Sequence, residues 1–142
     1  MTIQIGDKLP QITVSTMTDE GPKPVSMEEL CAGKKVVLFA VPGAFTPTCS
    51  AQHLPGFITN ASSLKDKGAD VVACISVNDP FVMAAWGKDR NAAEDVLMLS
   101  DGNAEFTSAI GLEMDGSGFG LGTRSQRYAM IIDDGVVSTL NV

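Results

Sequence analysis

Short apolar runs recur along the chain, each too short for a buried helix and each ending at turn residues. Val36–Val41 stops at Pro42-Gly43 and Asp70–Val77 stops at Asn78-Asp79, so both read as strands buried on two faces. Val96–Leu99 makes a further strand. Ile12–Met17 alternates apolar and polar positions loosely, which predicts an edge strand before a turn at Gly21-Pro22-Lys23-Pro24. Near the C-terminus, Arg127–Ile132 and Val136–Leu140 flank Asp134-Gly135, the signal of a hairpin.

Helices are expected between these strands. Ser26 is placed to cap a short helix, with Glu29 three residues on completing a capping box before Leu30 and Cys31, and Gly33 ends it. Cys49–Leu64 is long enough for a helix but interrupted by Pro55-Gly56. Asp79 at the N-cap and Pro80 at the first helical position start a helix through Asp89, and Ala104–Ile110 is a short one closed by Gly111. Strands alternating with helices, then a closing antiparallel hairpin, predict an α/β fold with a central mixed sheet flanked by helices on both faces.

Composition narrows the class. With 142 residues, 44% of them hydrophobic, the chain suits one domain with a substantial core. A net charge of −7 and a pI near 4.5, without any Lys/Arg cluster, argue against nucleic acid as a partner. No secretory or transit segment is visible, and the apolar runs fall far short of the ~20 residues a membrane helix needs. The expectation is a soluble, cytoplasmic protein with no membrane partner. Three cysteines at wide spacings, Cys31, Cys49 and Cys74, do not resemble a secreted disulfide framework and fit a reducing compartment. A single histidine makes a structural zinc site improbable, and no metal or organic cofactor is implied. The glycine-rich Gly116–Gly122 lacks the preceding strand and following helix of a dinucleotide-binding loop, so that reading is rejected.

The candidate chemistry gathers at Val41–Ser50. A strand, a Pro-Gly turn and a helix in succession would put Cys49 on the first helical turn, where unpaired N–H groups and the helix dipole favour an anion. Free cysteine more often packs as a small hydrophobe. Cys49, however, follows a strand-to-helix turn between polar Thr48 and Ser50, outside any apolar run. The Thr46 hydroxyl lies three residues before the sulfur, within reach of the thiolate or an oxygen beside it, while Pro42 and Pro47 stiffen the approach. An anionic sulfur, and the charge that develops on whatever it attacks, need fixed donors, and a guanidinium supplies several. Arg124 and Arg127 stand nearest a strand start, although either alone reads first as a solvated surface charge. His53, four residues past Cys49, would share its helical face as a base, a tuning group or simply a support.

Pro42-Gly43-Ala44-Phe45-Thr46-Pro47-Thr48-Cys49 followed by His53-Leu54-Pro55-Gly56-Phe57 resembles the peroxidatic motif of peroxiredoxins, in particular the peroxiredoxin-5-like, plant type II group. Cys74–Met83 and Arg127–Gly135 resemble further blocks of that family in the same order. The resemblance implies a thioredoxin-like fold and a thiol peroxidase acting on hydrogen peroxide and alkyl hydroperoxides. Cys49 would be the nucleophile, with Pro42, Thr46 and Arg127 around it and Thr48, His53 and Arg124 as supporting candidates. Thioredoxins carry Cys-x-x-Cys at this helix start; here Thr46-x-x-Cys49 stands in its place.

The resemblance also implies a homodimer, its contact near Phe45, Asp79-Pro80-Phe81 and the Gly116–Gly122 loop. Members usually continue into a further helix, so a chain ending at Val142 is expected to lack it. Oxidised Cys49 needs a second thiol: Cys74 is the internal candidate for resolving it, but it sits in a strand that reads as buried. The expectation is therefore an external thiol, glutathione or a glutaredoxin, with thioredoxin as the alternative reductant. A different reading of the same cysteine is a peroxide-sensing switch or chaperone-like binding protein, which would consume one peroxide per subunit where an enzyme consumes many.

Overall fold

The computed structural model describes residues 2–46, 54–92 and 96–142. In chain order, β1 (Thr13–Thr18) and β2 (Gly21–Ser26) form a hairpin, followed by α1 (Met27–Cys31), β3 (Lys35–Ala40), α2 (Leu54–Asp66) and β4 (Val71–Ser76). Then come α3 (Pro80–Asp89), β5 (Leu97–Ser100), α4 (Glu105–Ala109), β6 (Glu113–Asp115), β7 (Thr123–Ser125), β8 (Tyr128–Asp133) and β9 (Val136–Asn141).

Seven strands form one sheet in the order β2-β1-β5-β4-β3-β8-β9, and β6 and β7 pair separately as a ribbon. The apolar runs occupy the middle, where β3, β4 and β5 lie parallel, from Val36↔Val71 to Ala40↔Ile75 and from Ala73↔Leu97 to Ser76↔Ser100. Strand β8 runs antiparallel to β3, Ala40 facing Tyr128. Because side chains alternate across a strand, each parallel strand feeds two cores. Val36, Leu38 and Ala40 pack with Met27 and Cys31 of α1 and Phe106 of α4; Val37, Phe39 and Val41 pack with Leu54 of α2 and Met83 and Trp86 of α3. Phe39 stacks on Phe57 with ring centroids 3.8 Å apart, seating α2 on the sheet.

The expected helices at Ser26 and Asp79 form as read. Ser26 accepts the Glu29 N–H at 3.3 Å and Asp79 accepts the Val82 N–H at 2.8 Å. The Asp134-Gly135 hairpin also forms, both residues having positive φ, 49° and 80°. Two local readings are corrected. Gly21–Pro24 is the start of strand β2, not a turn, and β2 rather than β1 is the sheet edge. Prolines are tolerated there because Pro22 and Pro24 share a parity and direct their missing donors away from β1. The Gly116–Gly122 loop does follow a strand, β6, which pairs with β7 beyond the loop as a ribbon rather than leading into an α-helix. Of the helix expected over Cys49–Leu64, Cys49–His53 lies outside the described residues; Pro55 and Gly56 fall in the first turn of α2, where the Asn60 side chain donates to the Gly56 carbonyl at 2.8 Å.

Candidate functional site

The parallel strands β3 and β4 end side by side, and the turns leaving them, residues 41–46 and 77–79, come together there. Arg127 arrives at the same end, since its neighbour Tyr128 pairs with Ala40, the last residue of β3. This is the end of an α/β sheet where ligands are generally bound. Arg127 is half-buried. Pro42, Thr46 and Arg124 are also among the described residues, whereas Cys49, Thr48 and His53 lie outside them.

The 41–46 turn is held by a small set of bonds. Val41 N–H donates to the Ile75 carbonyl at 3.3 Å, and Ala44 N–H donates to Asn78 Oδ1 at 3.0 Å. The buried Ser76 hydroxyl lies 2.7 Å from Asn78 Oδ1 and 3.1 Å from the Val41 carbonyl, sharing its one hydrogen between them. Within the turn Phe45 has φ 62°, a conformation an aromatic residue rarely takes unless its surroundings enforce it. Its ring is tilted toward the buried Trp86 of α3, centroids 6.5 Å apart, although about half of the residue remains exposed.

Thr46 Oγ1 donates to the Gly43 carbonyl at 2.7 Å. A carbonyl only accepts, so the hydroxyl's single hydrogen points into the turn and a lone pair is what remains outward. In this arrangement Thr46 can accept from a peroxide O–H but has no hydrogen left for a thiolate, which narrows the role expected of it.

Arg124 has a different environment. Its Nε donates to the Leu121 carbonyl at 2.9 Å and Nη1 to the Val77 carbonyl at 3.0 Å, linking the glycine-rich loop to the exit from β4. The guanidinium passes beside Gly43, where a Cβ would lie 3.4 Å from Nη1 and 3.0 Å from Thr46 Cγ2. Gly43 is thus the position that lets the turn, Thr46 and Arg124 approach one another. Sequence reasoning missed Asn78 and Ser76, because their bonds to the turn cross 34 and 35 residues.

Cys31 and Cys74 are fully buried, on opposite faces of the sheet. Burial pushes the Cys31 thiol up to about 11, against a smaller downward pull from Lys34. Cys74 lies in the core shared with α2 and α3. Among the described residues no group of His, Cys, Asp and Glu side chains is arranged to hold a metal ion, and no helix is long and apolar enough to cross a membrane.

The redoxin family model matches residues 4–142. The chain is 54% identical to the chloroplastic peroxiredoxin-2E of Arabidopsis thaliana and 58% identical to the chloroplastic peroxiredoxin-2E-2 of rice, in each case over 99% of its length. It spans 62% and 65% of the length of these two relatives. Among solved structures, reduced Prx3 of Vibrio vulnificus in complex with hydrogen peroxide superposes with a TM-score of 0.96 at 63% identity, covering 99% of this chain and 88% of the other. Peroxiredoxin 5 of Alvinella pompejana gives 0.88 at 38% identity, covering 99% and 89%. With the motif order, the thioredoxin-like α/β fold and these relatives in agreement, the chain belongs to the redoxin family, among its peroxiredoxins of the type II, peroxiredoxin-5-like group.

Proposed function

We propose that this protein is a thiol-dependent peroxidase that reduces hydrogen peroxide and alkyl hydroperoxides through Cys49. The observation that carries the reading is family membership over almost the whole chain, together with a relative at 63% identity whose crystal structure holds hydrogen peroxide. In the proposed reaction the Cys49 thiolate attacks one peroxide oxygen. An S–O bond forms as the O–O bond breaks, and the departing oxygen leaves as water or an alcohol after taking a proton. Arg127 supplies charge and donors to the sulfur and the departing oxygen, Thr46 accepts from the peroxide O–H, and Pro42 stiffens the turn. Thr48, His53 and Arg124 are supporting residues in this reading.

The sulfenic acid is then attacked by an external thiol, releasing water and forming a mixed disulfide. A second thiol breaks that disulfide and restores the Cys49 thiolate. Glutathione with a glutaredoxin is the proposed reductant and thioredoxin the alternative; the burial of Cys74 supports an external resolver. Residues 1–142 are read as one thioredoxin-like domain, supported by a single seven-stranded sheet with a core on each face. A homodimer is proposed through the segments carrying Phe45, Phe81 and Phe119, whose exposure of 52%, 65% and 89% supports an apolar contact. A cytoplasmic location is proposed from three widely spaced cysteines that fit a reducing compartment, although the two plant relatives are named chloroplastic. Steady-state peroxide consumption with glutathione/glutaredoxin and with thioredoxin tests the reading. Many turnovers with one of these reductants are expected, while consumption that stops at one peroxide per subunit would favour a sensor.

A further inference from the structure

We propose that Asn78 is a positioning residue for peroxide reduction, an anchor that fixes the 41–46 turn in its reactive shape. The inference rests on the peroxidase reading and extends it to a residue outside the peroxidatic motif. Asn78 Oδ1 accepts the Ala44 N–H at 3.0 Å and faces the Ser76 hydroxyl at 2.7 Å, while the Asn78 carbonyl accepts the Ser100 hydroxyl at 2.5 Å. One residue therefore ties the turn to the ends of both β4 and β5. Ala44 directly precedes Phe45, the residue held at φ 62°, and Thr46 follows with its hydroxyl closed onto Gly43. A conformation of that kind persists only when its surroundings over-determine it, and the Ala44 bond ties the residue directly before it to the end of β4. Asn78 is assigned no part in the bond-making step; it acts through the turn.

The test compares wild type with Asn78→Ala and Asn78→Asp, the carboxylate of the latter keeping an acceptor for both donors. Three quantities are read: single-turnover oxidation by hydrogen peroxide, alkylation of the same thiol by iodoacetamide, and amide exchange at Ala44. Alkylation needs a thiolate but not the peroxide geometry, so it separates positioning from general loss of structure. Asn78→Ala is expected to slow peroxide oxidation about 10–100-fold, leave alkylation unchanged and speed Ala44 exchange. Asn78→Asp is expected to recover Ala44 protection and most of the peroxide rate. Should the alanine variant not fold, Asn78→Ser, too short to reach Ala44, serves for the same comparison. Peroxide oxidation and alkylation falling together, or a wild-type peroxide rate in Asn78→Ala whatever the Ala44 exchange, overturns the proposal. Wild-type protein inert to peroxide would instead sink the peroxidase reading, with the anchor still read from Ala44 exchange.

Discussion

Arg124 is hydrogen-bonded through Nη1 to the carbonyl of Val77 at 3.0 Å, across 47 residues of sequence. With Nε committed to Leu121 as well, this arginine fastens the β6–β7 ribbon and its loop to the end of β4. Arg124→Gln is accordingly expected to cost about 1–3 kcal/mol of stability, since two charge-assisted bonds to carbonyls are lost. Arg127→Gln should instead slow peroxide oxidation about 10²–10³-fold. Denaturation and stopped-flow oxidation of both variants check the division of labour. A large rate loss confined to Arg124→Gln would reassign the catalytic arginine.

Gly43 is required by proximity rather than by backbone conformation. A methyl group there would sit 3.0 Å from Thr46 Cγ2, so that side chain must give way, while Arg124 Nη1 at 3.4 Å leaves no spare room beside it. Gly43→Ala is expected to destabilise the fold by about 1–3 kcal/mol and to slow peroxide turnover by at least about tenfold. Urea denaturation beside a peroxide-consumption assay provides the check.

How legible these features are in the sequence depends on how local their causes are. Asp79, Pro80 and Val82 sit within one helical turn, and Asp134-Gly135 within one hairpin, so residue type alone announces them. The central strands are equally plain because burial on both faces demands uninterrupted apolar runs. Strand β2 is hidden by Pro22 and Pro24, which signal a turn until the sheet edge is known. The cap of α4 is hidden too: Asp101, outside the predicted helix, accepts the Phe106 and Thr107 N–H groups at 3.1 and 2.8 Å. At the candidate site, the assignment of Pro42, Thr46 and Arg127 comes from motif resemblance, not from any local pattern. The Asn78–Ala44 bond leaves no periodic trace, since its partners are joined only by the parallel pairing of β3 and β4.

Cys74 is fully buried beneath α2 and α3, which makes it a core residue in this account. Cys74→Ser is expected to keep peroxide turnover while losing about 1–3 kcal/mol of stability from a buried hydroxyl. Mass spectrometry after one equivalent of peroxide, without added thiol, should find no Cys49–Cys74 disulfide. A stoichiometric disulfide, with turnover lost in the serine variant, would make Cys74 the resolver.

Stability should fall at alkaline pH. The Cys31 thiol is raised from 9.0 to about 11 by burial, and burial likewise pushes the Tyr128 phenol well above its ordinary value, with Asp101 and Cys74 adding to it. Both groups are neutral when protonated, and the folded state binds their protons more tightly than the unfolded chain. For Cys31 the stabilisation is complete below the unfolded value and is lost as pH rises from 9.0 toward about 11. Urea midpoints at about pH 8 and about pH 10 should show the decline, and Cys31→Ala should flatten part of it.

Thiol-dependent peroxide consumption by wild type and by Cys49→Ser, with folding verified by circular dichroism, is the most direct measurement of the central claim. The account predicts many turnovers for wild type and none for the folded serine variant, with sulfenic acid or a mixed disulfide on Cys49 alone in the wild type. Turnover retained in folded Cys49→Ser would contradict it.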